Sequence, residues 1–330
     1  MEIAFSDWVA VTDASSVGEV RRSALTAAHR LGMDETRSGE MALLATEVSR
    51  NVLLHGGGGH VFLEGLKEPT GPVARILALD KGAGIADVAR AMSDGYSTGG
   101  TMGGGMGAMK RIATSLEILT GRSGTIVLLE LGQAASKECL PTSGIAVPIH
   151  GERHCGDGWD AHRTPERTLV LLTDGLGHGI GAAEAAKEAI ATFRKRVQFG
   201  PGEILNHVHD ALRKTRGAVA AIVEIRPKEQ SLVYAGVGNI SGVLHSRDGS
   251  KSLVSHNGTL GLTVPRIQEF KSEWAPDAVL VLHSDGVQSK WDLSSYPGLI
   301  SRHPSVIAGA LVRDFRRERD DASVVVVKAA

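Results

Sequence analysis

The chain has few aromatic residues and almost no net charge, and both shortages narrow the functions open to it. Phe, Trp and Tyr make up 4% of its 330 residues, too few for an aromatic platform on which nucleobases stack. The formal net charge is −1, so the chain lacks the basic surface that marks a nucleic-acid-binding domain. We therefore expect no nucleic-acid partner.

Long apolar runs and a cysteine framework are missing too. No run approaches the ~20 apolar residues that span a bilayer, and Met1–Ala4 does not resemble the start of a signal peptide. Cys139 and Cys155 are the only cysteines, and no thiol or histidine lies at metal-ligand spacing from Cys155. These features predict a reduced, cytoplasmic protein without a membrane segment.

The length of the chain favours two domains, since one domain usually takes roughly 100–200 residues. Residues 133–144 are small, polar and turn-prone, so they predict a linker between a domain at 1–132 and another at 145–330. In the second half predicted strands outnumber helices, and the helices come in pairs between runs of strands. That order favours a layered α/β sandwich over a doubly wound parallel sheet.

Hydrophobic periodicity predicts the elements of each half. In the first half the strands are expected at 3–11, 61–66, 74–80, 116–119 and 125–131, and the helices at 16–31, 35–54 and 106–114. In the second half the strands are expected at 145–150, 168–173, 218–225, 231–236, 240–245, 278–284 and 323–328, and the helices at 179–196, 202–214 and 304–316.

The first half carries acids and glycines in an order that suits a nucleotide. Glu47 and Asn51 lie four residues apart on a predicted helix, so they share a face and can hold Mg²⁺ beside phosphates. Asp80 ends an apolar strand next to two glycines, where its carboxylate can accept a hydrogen bond from an adenine amino group. The glycine run 99–107 leads into a helix whose backbone amides can bind phosphate. Singly, a solvated helix face, an Asp-Gly turn and a flexible linker explain these features as well.

Together these motifs resemble the GHKL (Bergerat-fold) ATPase superfamily over residues 1–131. The stretch Asp94–Gly99 is similar to the serine kinases and anti-sigma factors of bacterial stress-response switches. The resemblance implies a two-layer α/β sandwich that binds ATP with Mg²⁺. It also implies roles: Glu47 as catalytic acid/base, Asn51 as Mg²⁺ ligand, Asp80 at adenine, Gly82 and Gly84 in the adenine pocket, Gly103, Gly105 and Gly107 in the phosphate lid, and Thr125 near the base.

The second half places carboxylates at the ends of three apolar strands. Asp174-Gly175 and Asp285-Gly286 each follow such a strand, and Asp320-Asp321 precedes the last one. Gly156-Asp157-Gly158 adds a fourth acidic turn. Each Asp-Gly alone is usually a structural turn, but together these acids are expected to converge at one edge of a sheet. Such an oxygen-rich site suits two Mg²⁺ or Mn²⁺ ions that activate water for attack on a phosphoryl group.

This half resembles the SpoIIE-type metal-dependent serine/threonine phosphatases over about residues 145–330, with Tyr234–Asn239 and Asn257–Gly261 as supporting matches. The resemblance implies a four-layer α-β-β-α sandwich. It implies that Asp174 and Asp285 are catalytic and bind metal. Asp174 would bridge two metals, the Gly175 carbonyl would bind one of them, and Asp285 and Asp320 would bind the other. Asp157 would lie in the outer shell or at a further metal. Asp320 is favoured over Asp321 because the first Asp of the motif is the family's ligand. His178 could be considered as a general acid. However, some relatives have a His directly after the Asp-Gly, where this chain has Leu176, so His178 is interpreted as a polar loop residue.

Two functions of different class follow from these resemblances. In the first, the chain is a bifunctional switch that phosphorylates and dephosphorylates Ser/Thr of a protein partner. That partner is a STAS-domain anti-sigma-factor antagonist or a stressosome-type scaffold, with a sigma factor or a downstream phosphatase as further candidates. In the second, the first half only senses nucleotide and sequesters a partner. Glu47 discriminates the two, because a pure binder needs no catalytic carboxylate. A histidine autokinase and a chaperone- or topoisomerase-like ATPase are disfavoured, and the oligomeric state is left open.

Overall fold

The computed structural model describes residues 1–92, 105–132, 138–264 and 266–329. The chain divides into two compact units, Met1–Ser136 and Lys137–Ala330. The division falls inside the stretch 133–144 that the sequence predicts as a linker. No helix within the described ranges is both long and apolar enough to cross a membrane.

The N-terminal unit is a five-stranded antiparallel sheet in the order β1–β2–β3–β5–β4, with helices packed on it. Its elements are β1 (Glu2–Val11), α1 (Ala14–Arg30), α2 (Glu35–Gly56), β2 (Gly59–Glu68), β3 (Gly71–Asp80), α3 (Val88–Ala91), α4 (Met106–Ile112), β4 (Ser115–Gly121) and β5 (Gly124–Gly132). This is the predicted two-layer arrangement, and most boundaries lie within two residues of the expected ones.

Local signals explain where the two long helices begin and end. Asp13 and Asp34 accept backbone amides as N-caps of α1 and α2, and Gly57 ends α2 in the left-handed conformation at φ 71°. The helices bury small and branched side chains, among them Val20 and Val48, in one apolar core against the sheet. The core therefore holds α2, which carries the predicted nucleotide-binding residues, rigidly on the sheet.

The C-terminal unit contains two five-stranded sheets. Its elements are β6 (Thr142–Val147), β7 (Asp157–Arg163), β8 (Thr168–Gly175), α5 (Ile180–Lys195), α6 (Pro201–Ala211), β9 (Ala218–Arg226), β10 (Ser231–Val237), β11 (Ser241–Ser246), β12 (Gly249–Leu253), β13 (Phe270–Glu273), β14 (Val279–His283), α7 (Pro304–Phe315) and β15 (Ala322–Lys328). Short 3₁₀ turns lie at Leu212–Lys214, Pro227–Glu229, Leu293–Ser295 and Leu299–Ser301.

The sheet orders are β13–β10–β9–β8–β7 and β12–β11–β14–β15–β6. Helices α5 and α6 cover the first sheet, and α7 covers the second. The two sheets contact each other where β7 of the first packs against β6 and β15 of the second. Apolar residues of α5 and α6, such as Phe193 and Leu205, join residues of β8 and β9 in one buried cluster. The predicted four-layer α-β-β-α sandwich is confirmed.

Several predicted boundaries in this unit need correction. β6 spans Thr142–Val147 instead of 145–150, because Thr142 already pairs with Val327 of β15. The last three residues assigned to the linker are therefore part of a sheet. Three strands were not predicted at all: β7, β12 and β13. α6 ends at Ala211, and the rest of the helix expected to residue 214 is a 3₁₀ turn.

Candidate functional site

Asp80 is the last residue of β3, and its carboxylate organises the adjoining turn of the N-terminal unit. Its Oδ1 accepts the backbone amides of Gly82 at 2.9 Å and of Thr125 at 3.0 Å. Gly124 makes the second bond possible, since its φ is 112° and a Cβ there would lie 2.0 Å from the Asp80 carbonyl oxygen. Three residues predicted for the adenine site therefore lie side by side.

Helix α2 carries Glu47 and Asn51 towards the same place. At its C-terminal end, a Cβ on Gly56 would lie 2.5 Å from the Asp80 Cβ, so helix and strand touch there. Asn51 precedes Gly56 by five residues, about 7.5 Å along the helix axis, and Glu47 is one turn further. The Glu47 Oε1 atom lies 3.4 Å from Nη1 of the exposed Arg50.

The remaining glycines of the first site are divided between described and undescribed parts of the chain. Gly84 has φ 80° and packs on β4, where a Cβ would lie 2.4 Å from the Gly121 carbonyl oxygen. Gly105 is the N-cap of α4 without a side-chain cap, and Gly107 is buried in its first turn. Gly103 and the stretch Asp94–Gly99 lie outside the described residues.

In the C-terminal unit the centre of the second site is a pair of carboxylates. Asp157 opens β7 and is the cross-strand partner of Asp174 at the end of β8. Oδ2 of Asp157 accepts the hydroxyls of Ser284 at 2.6 Å and Ser323 at 2.7 Å. Oδ1 is buried and accepts no hydrogen bond from an N–H or serine hydroxyl of the described residues, and the neighbouring carboxyl group is that of Asp174. Ser284 follows β14 and Ser323 lies in β15, so Asp157 connects the two sheets at the site.

Asp285, Asp320 and Asp321 have different surroundings although all lie beside β14 and β15. The Asn239 side chain donates to Oδ2 of Asp285 at 2.7 Å. Both oxygens of Asp321 accept backbone amides, from Ile149 and from Gly156, each at 2.7 Å. Asp321 is thus committed to the backbone, and this favours Asp320 as the residue that faces a ligand.

The charges of Asp157, Asp285 and Asp320 act on Asp174, so these four carboxyl groups are neighbours. Burial first, and then the negative charges of Asp157, Asp285 and Asp320, raise the pKa of Asp174. Burial also raises the pKa of Asp157, although its two serine hydroxyls oppose the shift. The pKa of Asp320 is raised by burial and by the charge of Asp285. A cation among these carboxyl groups would relieve the mutual repulsion.

The sequence predicted that these acids converge at the edge of a single sheet, and this prediction is wrong. Asp157 and Asp174 belong to the first sheet, whereas Asp285 and Asp320 adjoin strands of the second. The acids converge because β7 and β15 pack face to face. The site therefore spans the interface between the two sheets.

The residues present fit a hard divalent cation. The donors are carboxylate oxygens, which hard divalent cations prefer, and Oδ1 of Asp157 is a buried oxygen that accepts no hydrogen bond from an N–H or serine hydroxyl of the described residues. Within the described ranges no three His, Cys, Asp or Glu side chains already form a set that could hold an ion. Bound ions would thus take part of their coordination from water, as Mg²⁺ usually does.

Comparison with known proteins agrees with both units. Residues 164–330, about half of the chain, match the family model of Stage II sporulation protein E (SpoIIE). The chain belongs to the SpoIIE family. Residues 10–131 match the model of the histidine kinase-like ATPase domain. Both resemblances inferred from the motifs are therefore confirmed.

Two relatives from Bacillus subtilis (strain 168) each match one half of this SpoIIE-family chain. The phosphoserine phosphatase RsbX is 24% identical over 160 residues, which cover 47% of this chain and 78% of RsbX. The serine/threonine-protein kinase RsbT is 32% identical over 85 residues, or 26% of this chain and 64% of RsbT. The match to RsbT thus spans less than two thirds of that kinase.

Two solved structures share the fold of the SpoIIE-family unit. One is described as belonging to the bacterial stressosome, a modular system adapted to control secondary messenger signaling; it has 28% identity and a TM-score of 0.55 over 57% of this chain and 99% of its own. The other is RsbX in complex with magnesium, with 22% identity and a TM-score of 0.54 over 60% of this chain and 99% of its own.

Three side chains that support the second site were not identified as site residues from the sequence: Asn239, Ser284 and Ser323. Ser284 directly precedes Asp285, and Asn239 ends the stretch Tyr234–Asn239 that supported the SpoIIE resemblance. Their closeness to these motifs in the sequence is all that could have indicated a role at the site. Ser323 offered no such indication, because its bond to Asp157 joins residues far apart in the chain.

His178 and Cys155 lie near the SpoIIE-family site. His178 is exposed in the loop before α5, where its Nδ1 lies 3.2 Å from Oε1 of Glu152. This position agrees with a polar loop residue. Burial, followed by the charges of Asp157 and Asp321, raises the pKa of the Cys155 thiol, which disfavours it as a thiolate ligand.

Proposed function

We propose that the chain is a bifunctional signalling switch. Its N-terminal unit binds ATP·Mg²⁺ and phosphorylates Ser/Thr of a STAS-domain regulator, and its C-terminal unit removes phosphate from phosphoserine or phosphothreonine of such partners. The observation that carries the proposal is the convergence of four aspartates: Asp157 pairs with Asp174 across two strands and accepts the hydroxyl of Ser284, the neighbour of Asp285, and the charges of Asp285 and Asp320 act on Asp174. RsbX is a phosphatase and RsbT a kinase, and these two activities support the pairing.

In the phosphatase unit the chain's own residues hold and orient the site. Asp174, the Gly175 carbonyl, Asp285 and Asp320 are the proposed ligands of Mg²⁺ or Mn²⁺. These ions, when bound, lower the pKa of water and stabilise charge on the phosphoryl group. Asn239 fixes the orientation of Asp285 through its 2.7 Å hydrogen bond. Two serine hydroxyls keep Asp157 in place behind the ligands, in the outer shell or at a further metal.

In the kinase unit each residue has a separate proposed task. Glu47 accepts the proton of the attacking hydroxyl, and Asn51 holds Mg²⁺ at the phosphates. Asp80 accepts the adenine amino group beside Thr125, while Gly82 and Gly84 let the backbone approach the base. Gly105 and Gly107, together with Gly103, supply amides to the phosphates.

The proposed partner class rests on the similarity of the C-terminal unit to a solved structure from the bacterial stressosome. A STAS-domain anti-sigma-factor antagonist or a stressosome-type scaffold is the proposed substrate. A sigma factor or a downstream phosphatase would be bound rather than phosphorylated.

One contact favours a second candidate, in which the N-terminal unit only senses nucleotide. Nη1 of Arg50 lies 3.4 Å from Oε1 of Glu47 on the same helix, so the Glu47 carboxylate already has an ion-pair partner and can have a structural role instead of a catalytic one. Under this alternative the chain is a metal-dependent phosphatase with an anti-sigma-type binding module. Glu47 would then be dispensable.

Phosphate transfer from radiolabelled ATP to a co-purified partner protein distinguishes the two. We expect Asp174→Asn to let labelled partner accumulate and Glu47→Ala to abolish labelling while ATP binding persists. The matched control is Glu40→Ala, since Glu40 lies on the same helix and pairs with Arg37 at 2.9 Å. If the Asp174→Asn protein labels no partner that it binds, the kinase assignment is wrong and the nucleotide-sensing function replaces it.

A further inference from the structure

Arg216 lies over the loop that follows Asp174 and has no task in the mechanism above. It stands two residues before Ala218, the cross-strand partner of Gly175. Its Nη1 lies 3.5 Å from the carbonyl oxygen of His178. A Cβ on Gly181 would lie 2.5 Å from its Nε. Because Gly181 has no side chain, the Arg216 guanidinium can pack against the backbone of this residue beside the site.

The guanidinium of Arg216 is exposed and forms no ion pair with a carboxylate within the described part of the chain. Nearby, the equally solvent-facing Arg213 pairs with Asp210 at 3.2 Å. Arginine binds phosphate oxygens through two parallel hydrogen bonds, so a phosphate monoester complements this position.

Exposed apolar side chains lie on the chain segments next to Arg216, and one of them, Ile180, directly precedes Gly181. Eight large apolar side chains are substantially exposed in the described residues, and three of them lie here: Leu176, Ile180 and Leu262, at 43%, 63% and 56%. The Leu176 amide donates to the Gly217 carbonyl oxygen at 3.0 Å, and a Cβ on Gly217 would lie 3.3 Å from Cγ of Leu262. Apolar side chains clustered beside a site mark a surface for a macromolecular partner, whereas scattered ones do not.

We propose that this surface, Arg216 with Leu176, Ile180 and Leu262, binds the phosphorylated segment of a protein substrate. The inference rests on the proposed phosphatase function and adds the substrate's local chemistry. Arg216 contacts the phosphate as it enters the site, and apolar residues that flank the phosphoserine pack on the three side chains. The positive charge of Arg216 complements the phosphate, and the three apolar side chains complement apolar neighbours of the phosphoserine.

Two synthetic phosphoserine peptides test this with the full chain and Mg²⁺ or Mn²⁺. In one, leucines flank the phosphoserine; in the other, glycines do. We expect the wild type to have a lower KM for the leucine peptide. Arg216→Ala should raise KM for both peptides about ten- to a hundredfold with little change in kcat, because a hydrogen bond to a charged group is lost. Arg216→Lys should recover part of the loss.

Leu262→Ser should remove the preference for the leucine peptide and leave p-nitrophenyl phosphate hydrolysis unchanged. The matched controls are Arg213→Ala and Ile300→Ser. Ile300 is 43% exposed and lies near Arg302, whose carbonyl binds Lys328 at the end of β15 opposite the site. An unchanged KM in Arg216→Ala, or a preference retained in Leu262→Ser, overturns this inference alone. A wild type that hydrolyses neither peptide nor p-nitrophenyl phosphate overturns the proposed function instead.

Discussion

Replacing Asp80 by Asn should weaken ATP binding without unfolding the N-terminal unit. Oδ1 of Asp80 accepts the amides of Gly82 and Thr125 at 2.9 and 3.0 Å. An asparagine can keep both bonds with its carbonyl oxygen, so the turn should survive. Its other group becomes an NH₂, which cannot accept a hydrogen bond from the adenine amino group. The substitution therefore separates nucleotide recognition from folding.

The expected loss can be estimated from one unpaired donor. Leaving a buried amino group without an acceptor costs about 1–3 kcal/mol, which raises Kd about 5- to 150-fold. Isothermal titration calorimetry with ATP·Mg²⁺ measures this directly. GTP should lose less affinity than ATP, because guanine presents an acceptor oxygen where adenine presents its amino group. Thermal unfolding of the same sample should show an unchanged N-terminal unit.

Asp34→Asn is the matched control for this experiment. Asp34 is the N-cap of α2 and accepts the Arg37 amide at 2.8 Å, at the far end of the helix from Asn51. Asn caps a helix about as well as Asp, so ATP binding should not change. Wild-type affinity in Asp80→Asn, measured beside this control, would refute the assignment of the adenine site.

Three further outcomes are expected. Asp285→Asn should abolish Mg²⁺- or Mn²⁺-dependent hydrolysis of p-nitrophenyl phosphate, and full wild-type activity in excess chelator would contradict a metal mechanism. Ser323→Ala removes one of the two hydroxyls that donate to buried Asp157. It should lower the free energy of unfolding of the C-terminal unit by about 1–3 kcal/mol in urea titrations, and an unchanged urea midpoint would show that this hydrogen bond does not stabilise the unit. Burial raises the pKa of Glu64 to about 7 although Arg75 lies 3.3 Å away. Because the folded protein holds this proton more tightly than the unfolded chain does, the free energy of unfolding of the N-terminal unit should fall by about 3 kcal/mol between pH 4.5 and 7. Glu64→Gln should not show this fall, and the same dependence of unfolding free energy on pH in both proteins would contradict the prediction.

The N-terminal unit was largely predictable because its signals are local. The helices have 3.6-residue apolar periodicity, aspartate N-caps and a glycine stop. Glu47 and Asn51 share a helix face whatever the rest of the fold does, and Asp80 ends an apolar strand. The contact between Gly56 and Asp80, which brings these residues together, depends on how α2 packs on the sheet. Periodicity carries no information about it.

The strands that the sequence did not predict are those whose surroundings are unusual. β12 reads Gly-Ser-Lys-Ser-Leu and is mostly exposed, β13 reads Phe-Lys-Ser-Glu and is exposed at alternate residues, and both lie at sheet edges. Polar edge strands protect a sheet from further pairing, so they lack the apolar alternation by which strands are recognised. β7 contains two aspartates, an arginine and a histidine, yet its first five residues are buried. Its polar residues are used at the site and in an ion pair of Asp160 with Arg194.

The adjacent acids Asp320 and Asp321 show why the site itself needs three dimensions. Sequence composition makes them equivalent, and only the resemblance to a family separated them. In the structure Asp321 uses both oxygens on the amides of Ile149 and Gly156, and so it anchors the segment that leads into β7. That segment places Asp157 beside Asp174, and Asp320 remains on the side of the other carboxylates. Asp321 thus anchors the backbone next to Asp157, whereas Asp320 is the proposed ligand, and the distinction depends on hydrogen bonds between residues more than 160 positions apart.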